Sequence, residues 1–344
     1  MRYEENNRVY HMASQLNDFQ KALYIHLIDW KKEVLGITEP GYRKEHPYDY
    51  MFPDDFIKRY PIPPFIHNSI HEELREMQHG RFAYKIHDMA YHMASSQTAC
   101  VNLFMPILLD ENADSILRNI PGCPDDFDHI NRERLYKGFC FEYWGQDFTS
   151  GKGVLGDHSN AAGTDSDIAI AYINKKGEQC LWIIEHKLTE KEFTTCGGYK
   201  SKGNKEKESC RTNGLSNLIN NPCKCHYHRI GYNYWKLMAS RQEAFNIGHE
   251  CHQCPFLGGM NQLWRNQLLA FAYMDSGEYA RVTFSVVHHR DNTSLANTMK
   301  EYRELITSEI SMTSFTNDDV ISAAEKYSPS LSQWTIWYRE LYMI

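Results

Sequence analysis

No stretch of this chain is long and apolar enough to span a bilayer. The longest apolar run, Cys100 to Leu109, is broken by Asn102 and Pro106, whereas a spanning helix needs about 20 apolar residues. A positive charge balance is also missing. Lys and Arg number 37 against 44 Asp and Glu, for a net charge of −7. That excludes coating of nucleic acid by bulk charge, although a local basic groove remains compatible with an acidic total. Lys187, Lys191, Lys200, Lys202, Lys205, Lys207 and Arg211 do form a basic zone, but glutamates interleaved from Glu185 to Glu208 offset it. No internal repeat or low-complexity linker stands out, and the opening residues Met1 to Asn7 lack the form of a secretory signal. The expectation is a cytoplasmic protein with no membrane partner. Its 344 residues, 42% apolar and 24% charged, suit one large or two modest globular domains.

What is present centres on Gly163 to Glu190, GTDSDIAIAYINKKGEQCLWIIEHKLTE. Two strand-like runs, Ile168 to Ile173 and Cys180 to Ile184, flank Asn174-Lys175-Lys176-Gly177, a sequence suited to a hairpin turn. Side chains alternate along a strand, so Asp167 shares a face with the small Ala169 and Ala171, and Glu185 and Lys187 share one with Leu181 and Ile183. An antiparallel pairing about Lys175 brings Asp167 opposite Glu185. Two carboxylates and an ammonium then converge where the apolar strands end. Such a pair binds a hard cation, Mg2+ or Mn2+, which keeps positions open for water and phosphate oxygens. The lysine is placed to hold or deprotonate an attacking water. Asp165 rivals Asp167 for the aspartate role; Asp167 is preferred because it directly begins the apolar strand.

Asp167, seventeen intervening residues and Glu185-His186-Lys187 resemble the D…(D/E)xK signature of the PD-(D/E)XK nuclease superfamily, the restriction-endonuclease-like fold. The wording GTDSDIAIAY…LWIIEHKLTE, with Ser95-Ser96-Gln97 upstream, further resembles a bacterial branch of it. The resemblance covers Ala90 to His289 and departs from the pattern at Ser166, where a proline is usual. It implies an α/β fold of the α+β type with a mixed sheet and an αβββαβ core. Asp167 and Glu185 would be Mg2+ ligands, with the backbone carbonyl of His186 as a third. Lys187 would be the water-positioning base or electrostatic stabiliser. Ser96 and Gln97, on a first core helix leaning over the site, would reach the metal water or a phosphate, or else bond within the core. Gln267 would stand near the substrate, or else be ordinary helix surface.

The rest of the chain supplies the pieces of that core. Residues 1–85 read as a partly helical, aromatic and proline-broken region, with a helix from Gln15 to Leu35. Residues 86–290 read as the core: a helix from Ile86 to Phe104, a loop from Asp110 to Asn131, a strand from Tyr136 to Trp144, the hairpin, a helix from Asn261 to Tyr273 and a strand from Arg281 to His289. Glu142, on the first strand, is either a third carboxylate or an exposed one. Arg265 is either a phosphate contact or ordinary helix surface. Residues 291–344 read as helical, over Leu295 to Ile310, Asn317 to Tyr327 and Ser332 to Tyr342, with Asn317 and Ser330 or Ser332 as N-caps and a core stripe of Trp334, Trp337, Tyr338 and Leu341.

Within the core, 191–260 reads as an insertion. It holds Cys196, Cys210, Cys223, Cys225, Cys251 and Cys254, six of the chain's ten cysteines. Cytosolic cysteines seldom pair as disulfides, so a thiolate metal site is expected. Four of the six would bind Zn2+, with an iron–sulfur cluster as the alternative and His226, His228, His249 and His252 as alternative ligands. The functional expectation is a Mg2+-dependent nuclease acting on nucleic acid, DNA favoured, in restriction, defence or repair. A non-catalytic nucleic-acid-binding module with a structural metal is the rival. Oligomeric state is not legible.

Overall fold

The computed structural model of the protein describes every residue except 6, 80–85, 146–150, 160–162, 249–250 and 311. A six-stranded mixed sheet divides it. Its strands are β1 (Phe127–Ile130), β2 (Phe139–Tyr143), β3 (Ser166–Asn174), β4 (Gln179–Lys187), β5 (Arg281–His288) and β6 (Met312–Thr316). The order across the sheet is β6-β5-β4-β3, and β1 and β2 follow one another along the outer edge of β3. β3 pairs antiparallel with β4, while β4, β5 and β6 run parallel. The principal helices are α1 (Asp18–Glu33), α2 (Ser96–Leu109), α3 (Asn261–Asp275), α4 (Ala296–Leu305), α5 (Asn317–Tyr327) and α6 (Ser332–Tyr342). The succession α2-β2-β3-β4-α3-β5 is the expected αβββαβ core.

Alternation along the central hairpin feeds two separate cores. Ile168, Ile170, Trp182 and Ile184 face one core with residues of α1, α2, α5 and α6. Ala169, Ala171, Leu181 and Ile183 face the other, with α3, α4 and Tyr234, Trp235 and Phe256 of the insertion. Ile168 pairs with Ile184 and Ile173 with Gln179. This register carries Asp167 to the level of Glu185, as the equal spacing about the turn requires.

Several elements differ from the sequence reading. The helix expected from Ile86 begins at Ser96, because Ser95 caps it by accepting the Thr98 N–H; only a short 3-10 turn, Asp88–Tyr91, precedes it. The helix also runs through Pro106 to Leu109. Pro106 has no N–H for the Asn102 carbonyl, and the Trp334 indole N–H takes that carbonyl instead, at 2.9 Å. The supposed loop from Asp110 to Asn131 contains a helix, Ala113–Arg118, and β1. β2 starts at Phe139 rather than Tyr136. β6 was not expected, and α4 ends at Leu305, short of Ile310. Thr316, not Asn317, caps α5 in a capping box with Asp319. Leu331 stands at the start of α6, and Ser330 instead donates to Asp110 at 2.7 Å. Among the described residues no helix is long and apolar enough to cross a membrane.

Candidate active site

The acidic ends of β3 and β4 lie between α2 on one face of the sheet and α3 on the other. Asp167 Oδ2 accepts the backbone N–H of His186 at 2.6 Å, across the hairpin. Glu185 is buried, and both of its carboxylate oxygens accept hydrogen bonds. Oε1 accepts from Lys187 Nζ at 2.7 Å and Gln262 Nε2 at 2.6 Å, and Oε2 accepts from Asn266 Nδ2 at 2.6 Å. Gln262 and Asn266 are four apart, so one face of α3 presents both amides. From α2, Ser96 Oγ donates to the His186 carbonyl at 2.7 Å and lies 3.1 Å from His186 Nδ1. Alternation therefore sends Glu185 and Lys187 toward α3 and His186 toward α2.

Glu142 completes the group of acids. Its φ is +50°, a left-handed conformation that costs a non-glycine residue roughly 1–3 kcal/mol. The kink breaks the alternation of β2: Phe141 packs in one core and Tyr143 in the other. Glu142 is thereby turned inward, partly buried, with Oε1 accepting from Gln97 Nε2 at 3.1 Å and Oε2 lying 3.4 Å from His87 Nε2. Of the two readings of Glu142, third carboxylate or exposed residue, the kink gives the former, and no spacing rule reveals it.

The electrostatics of the group are strained toward negative charge. Burial, then Glu185 and Glu142, hold the Asp167 carboxyl well above the usual carboxylate range, against the opposing pull of Lys187. Burial and Glu142 push Asp165 up to about 6. Burial works against the Lys187 ammonium, but Glu185, Glu190 and Asp167 outweigh it and keep the lysine above its ordinary value. Burial and the neighbouring Lys187 hold His186 down to about 3, so its ring is neutral. Even Cys100, one turn along α2, is raised by burial and by the charges of Asp167, Glu142 and Glu185. Gln262 Oε1 and Asn266 Oδ1 are buried with no hydrogen-bond partner in the protein. Excess negative charge with orphaned acceptors around it is what a hard cation, with its water shell, would satisfy. Asp167, Glu185 and the His186 carbonyl fit that role. A cleft of about 520 Å³, lined by Tyr24, His92, Ser96, Gln97 and Glu190 among others, opens beside the site.

Not every expected residue arrives here. Gln267 is buried one position past Asn266 and lines a different cavity with Phe271, Arg281 and Thr283. Gln262 and Asn266 stand where it was expected, and two amides at i, i+4 are the signal that could have found them. Arg265 turns back to donate to the Gly163 carbonyl at 3.1 Å and Thr164 Oγ1 at 3.0 Å. All ten cysteines are free. Among the described residues no three His, Cys, Asp or Glu side chains form a group that could hold a metal ion; His249 lies outside the described residues.

Comparison with known proteins matches no curated protein and no solved structure. One family model does match, over residues 24–343. That span contains α2, α3 and the whole sheet, so it takes in every side chain of the site. Its description, restriction endonuclease associating with ARP, agrees with the αβββαβ core and points to a nuclease-type function. The chain belongs to this restriction endonuclease family.

Proposed function

We propose that this protein is a Mg2+-dependent nuclease that hydrolyses phosphodiester bonds in DNA, with a role in restriction, defence or repair. The observation that carries the reading is the gathering of Asp167, Glu185 and Lys187 at one end of the β3–β4 hairpin, with Lys187 Nζ 2.7 Å from Glu185 Oε1. Asp167, Glu185 and the His186 carbonyl would hold the cation, which when bound supplies charge neutralisation and a more acidic water. Lys187, kept protonated by its acidic neighbours, orients the attacking water and stabilises charge at phosphate rather than removing a proton. Gln262 and Asn266 fix the Glu185 carboxylate, and Ser96 fixes the His186 carbonyl. Ten free thiols suit a reducing cytoplasm. The family description adds ARP as a partner, and we include a protein partner of that kind in the reading.

The test is incubation of the purified protein with supercoiled plasmid and single-stranded DNA in Mg2+, Mn2+ or EDTA. Cleavage should require the cation, and Asp167→Ala and Lys187→Ala should each lower it by roughly 100-fold or more. DNA retained without cleavage in any metal would replace the enzyme with a binding module.

A further inference from the structure

The backbone that leads into the acids is tied down from two sides by a buried network. We infer that Arg265 of α3 and Tyr234 of the 191–260 insertion are positioning residues for Asp167, acting through Thr164 and Asp157 on the segment that enters β3. The inference rests on the nuclease reading above and extends it to residues outside the acid–lysine set.

Asp167 lies just outside the part of the hairpin that the strand ladder secures. Backbone pairing of β3 with β4 runs from Ile168 opposite Ile184 toward the turn, so Asp167 stands one residue beyond it. There Asp167 reaches β4 through its own side chain, which accepts the His186 N–H. On the other flank Ser166 pairs with Tyr143 of β2. A carboxylate that shares a cation with Glu185 needs firmer placement than this, because an error of about 1 Å at a reacting centre can cost a rate roughly 100-fold.

The residues before Ser166 supply it. Arg265 Nη1 donates to the Gly163 carbonyl at 3.1 Å and to Thr164 Oγ1 at 3.0 Å. Thr164 Oγ1 in turn donates to Asp157 Oδ2, and Tyr234 OH donates to the same oxygen at 2.6 Å. A hydroxyl has one proton to give. Those of Thr164 and Tyr234 both go to the carboxylate, which leaves the Thr164 oxygen to accept from Arg265. Asp157, Thr164 and Tyr234 are all buried, where a satisfied network holds its members rigidly and a broken one is costly.

Both outer ends of the network are anchored. Arg265 stands next to Asn266 on α3, and Asn266 and Gln262 hold the Glu185 carboxylate. One helix therefore sets both strands of the hairpin at the end where the acids meet. Tyr234 opens a helix of the insertion, Tyr234–Ser240, and its ring packs edge-on against Trp264 of α3. The preceding residue, Asn233, donates its N–H to the Leu155 carbonyl at 3.0 Å. The insertion thus grips the loop ahead of β3 and bears on α3 as well.

The experiment compares Arg265→Met, Arg265→Lys and Tyr234→Phe with the unsubstituted full chain, by hydrogen–deuterium exchange and by steady-state DNA cleavage in Mg2+. Tyr234→Phe removes one hydroxyl and keeps the ring, so it guards against a folding defect in Arg265→Met. Exchange should quicken about tenfold in peptides spanning Gly163 to Asp167, the effect of one lost hydrogen bond, while α5 and α6 keep the rate of the unsubstituted protein. In cleavage, kcat should fall roughly 10- to 100-fold with KM little changed, and Arg265→Lys, which keeps a donor, should recover part of the loss. Unchanged exchange from Gly163 to Asp167, or exchange raised equally along the whole chain, would overturn the positioning role. A raised KM with kcat intact would also overturn it, by making Arg265 a direct phosphate contact. If the unsubstituted protein leaves DNA uncut in every metal, the nuclease reading fails, and hydrogen exchange alone decides whether the network fixes the backbone around Asp167.

Discussion

Asn266 donates to Glu185 Oε2 at 2.6 Å, so the carboxylate of β4 is held in place by a helix that arrives some eighty residues later in the chain. Replacing that amide with an isosteric apolar group, Asn266→Leu, leaves half of a buried carboxylate without its donor. The expected cost is about 1–3 kcal/mol in urea unfolding, together with a loss of DNA cleavage larger than any change in DNA binding. Equal losses of both would show that Asn266 supports the fold alone.

The Lys187–Glu185 pair is buried on both sides. Removing one partner strands the other charge, so Lys187→Ala should destabilise by roughly 3–5 kcal/mol. Neutralising both, as Lys187→Met with Glu185→Gln, should recover much of that stability while cleavage stays absent. Additive destabilisation in the double variant would contradict the pairing.

Asp165 gives a pH signature. Its folded value of about 6 lies above the ordinary 3.8, so the folded state binds the proton more tightly than the unfolded chain. The contribution is fully present below the ordinary value and lost as pH rises through the folded one. In EDTA, the Tm of the wild type should fall relative to Asp165→Asn as pH climbs from about 4 to about 7. Parallel Tm curves from scanning fluorimetry would refute it.

Pro106 and Trp334 should prove coupled. Trp334→Phe strands the Asn102 carbonyl that Pro106 cannot serve, costing about 1–3 kcal/mol beyond the packing change. Pro106→Ala restores a helical N–H to that carbonyl, so the same Trp334 substitution should cost less in its background. A double-mutant cycle with no interaction energy would rule the arrangement out.

Much of the site was legible because a hairpin is a local structure. Asp167, Glu185 and Lys187 fall together from alternation and the position of one turn, with no long-range information needed. What was missed depends on contacts far apart in sequence or on backbone conformations that composition does not encode. Gln262 and Asn266 require knowing which face of α3 meets β4, and Gln267 was favoured through likeness rather than geometry. Glu142 owes its orientation to a left-handed φ at a residue with no glycine to announce it. The start of α2 was misplaced because the apolar residues before Ser95 continue the helical pattern, and only the cap ends it. β6 joins the sheet edge through β5, a pairing that a five-residue segment cannot signal alone.

The pairing of Ile168 with Ile184 has a consequence for how this protein can fail. A slip of β3 by one residue against β4 would reverse the faces of β3 alone, sending Ile168 toward α3 and turning Asp167 away from the face that Glu185 and Lys187 share. Each such misplaced side chain forfeits roughly 1.5–3 kcal/mol, so the shifted chain has no stable form in which to persist. Molecules that fold at all therefore carry their acids correctly aligned, and loss of alignment should be seen as loss of the protein rather than as an inert population.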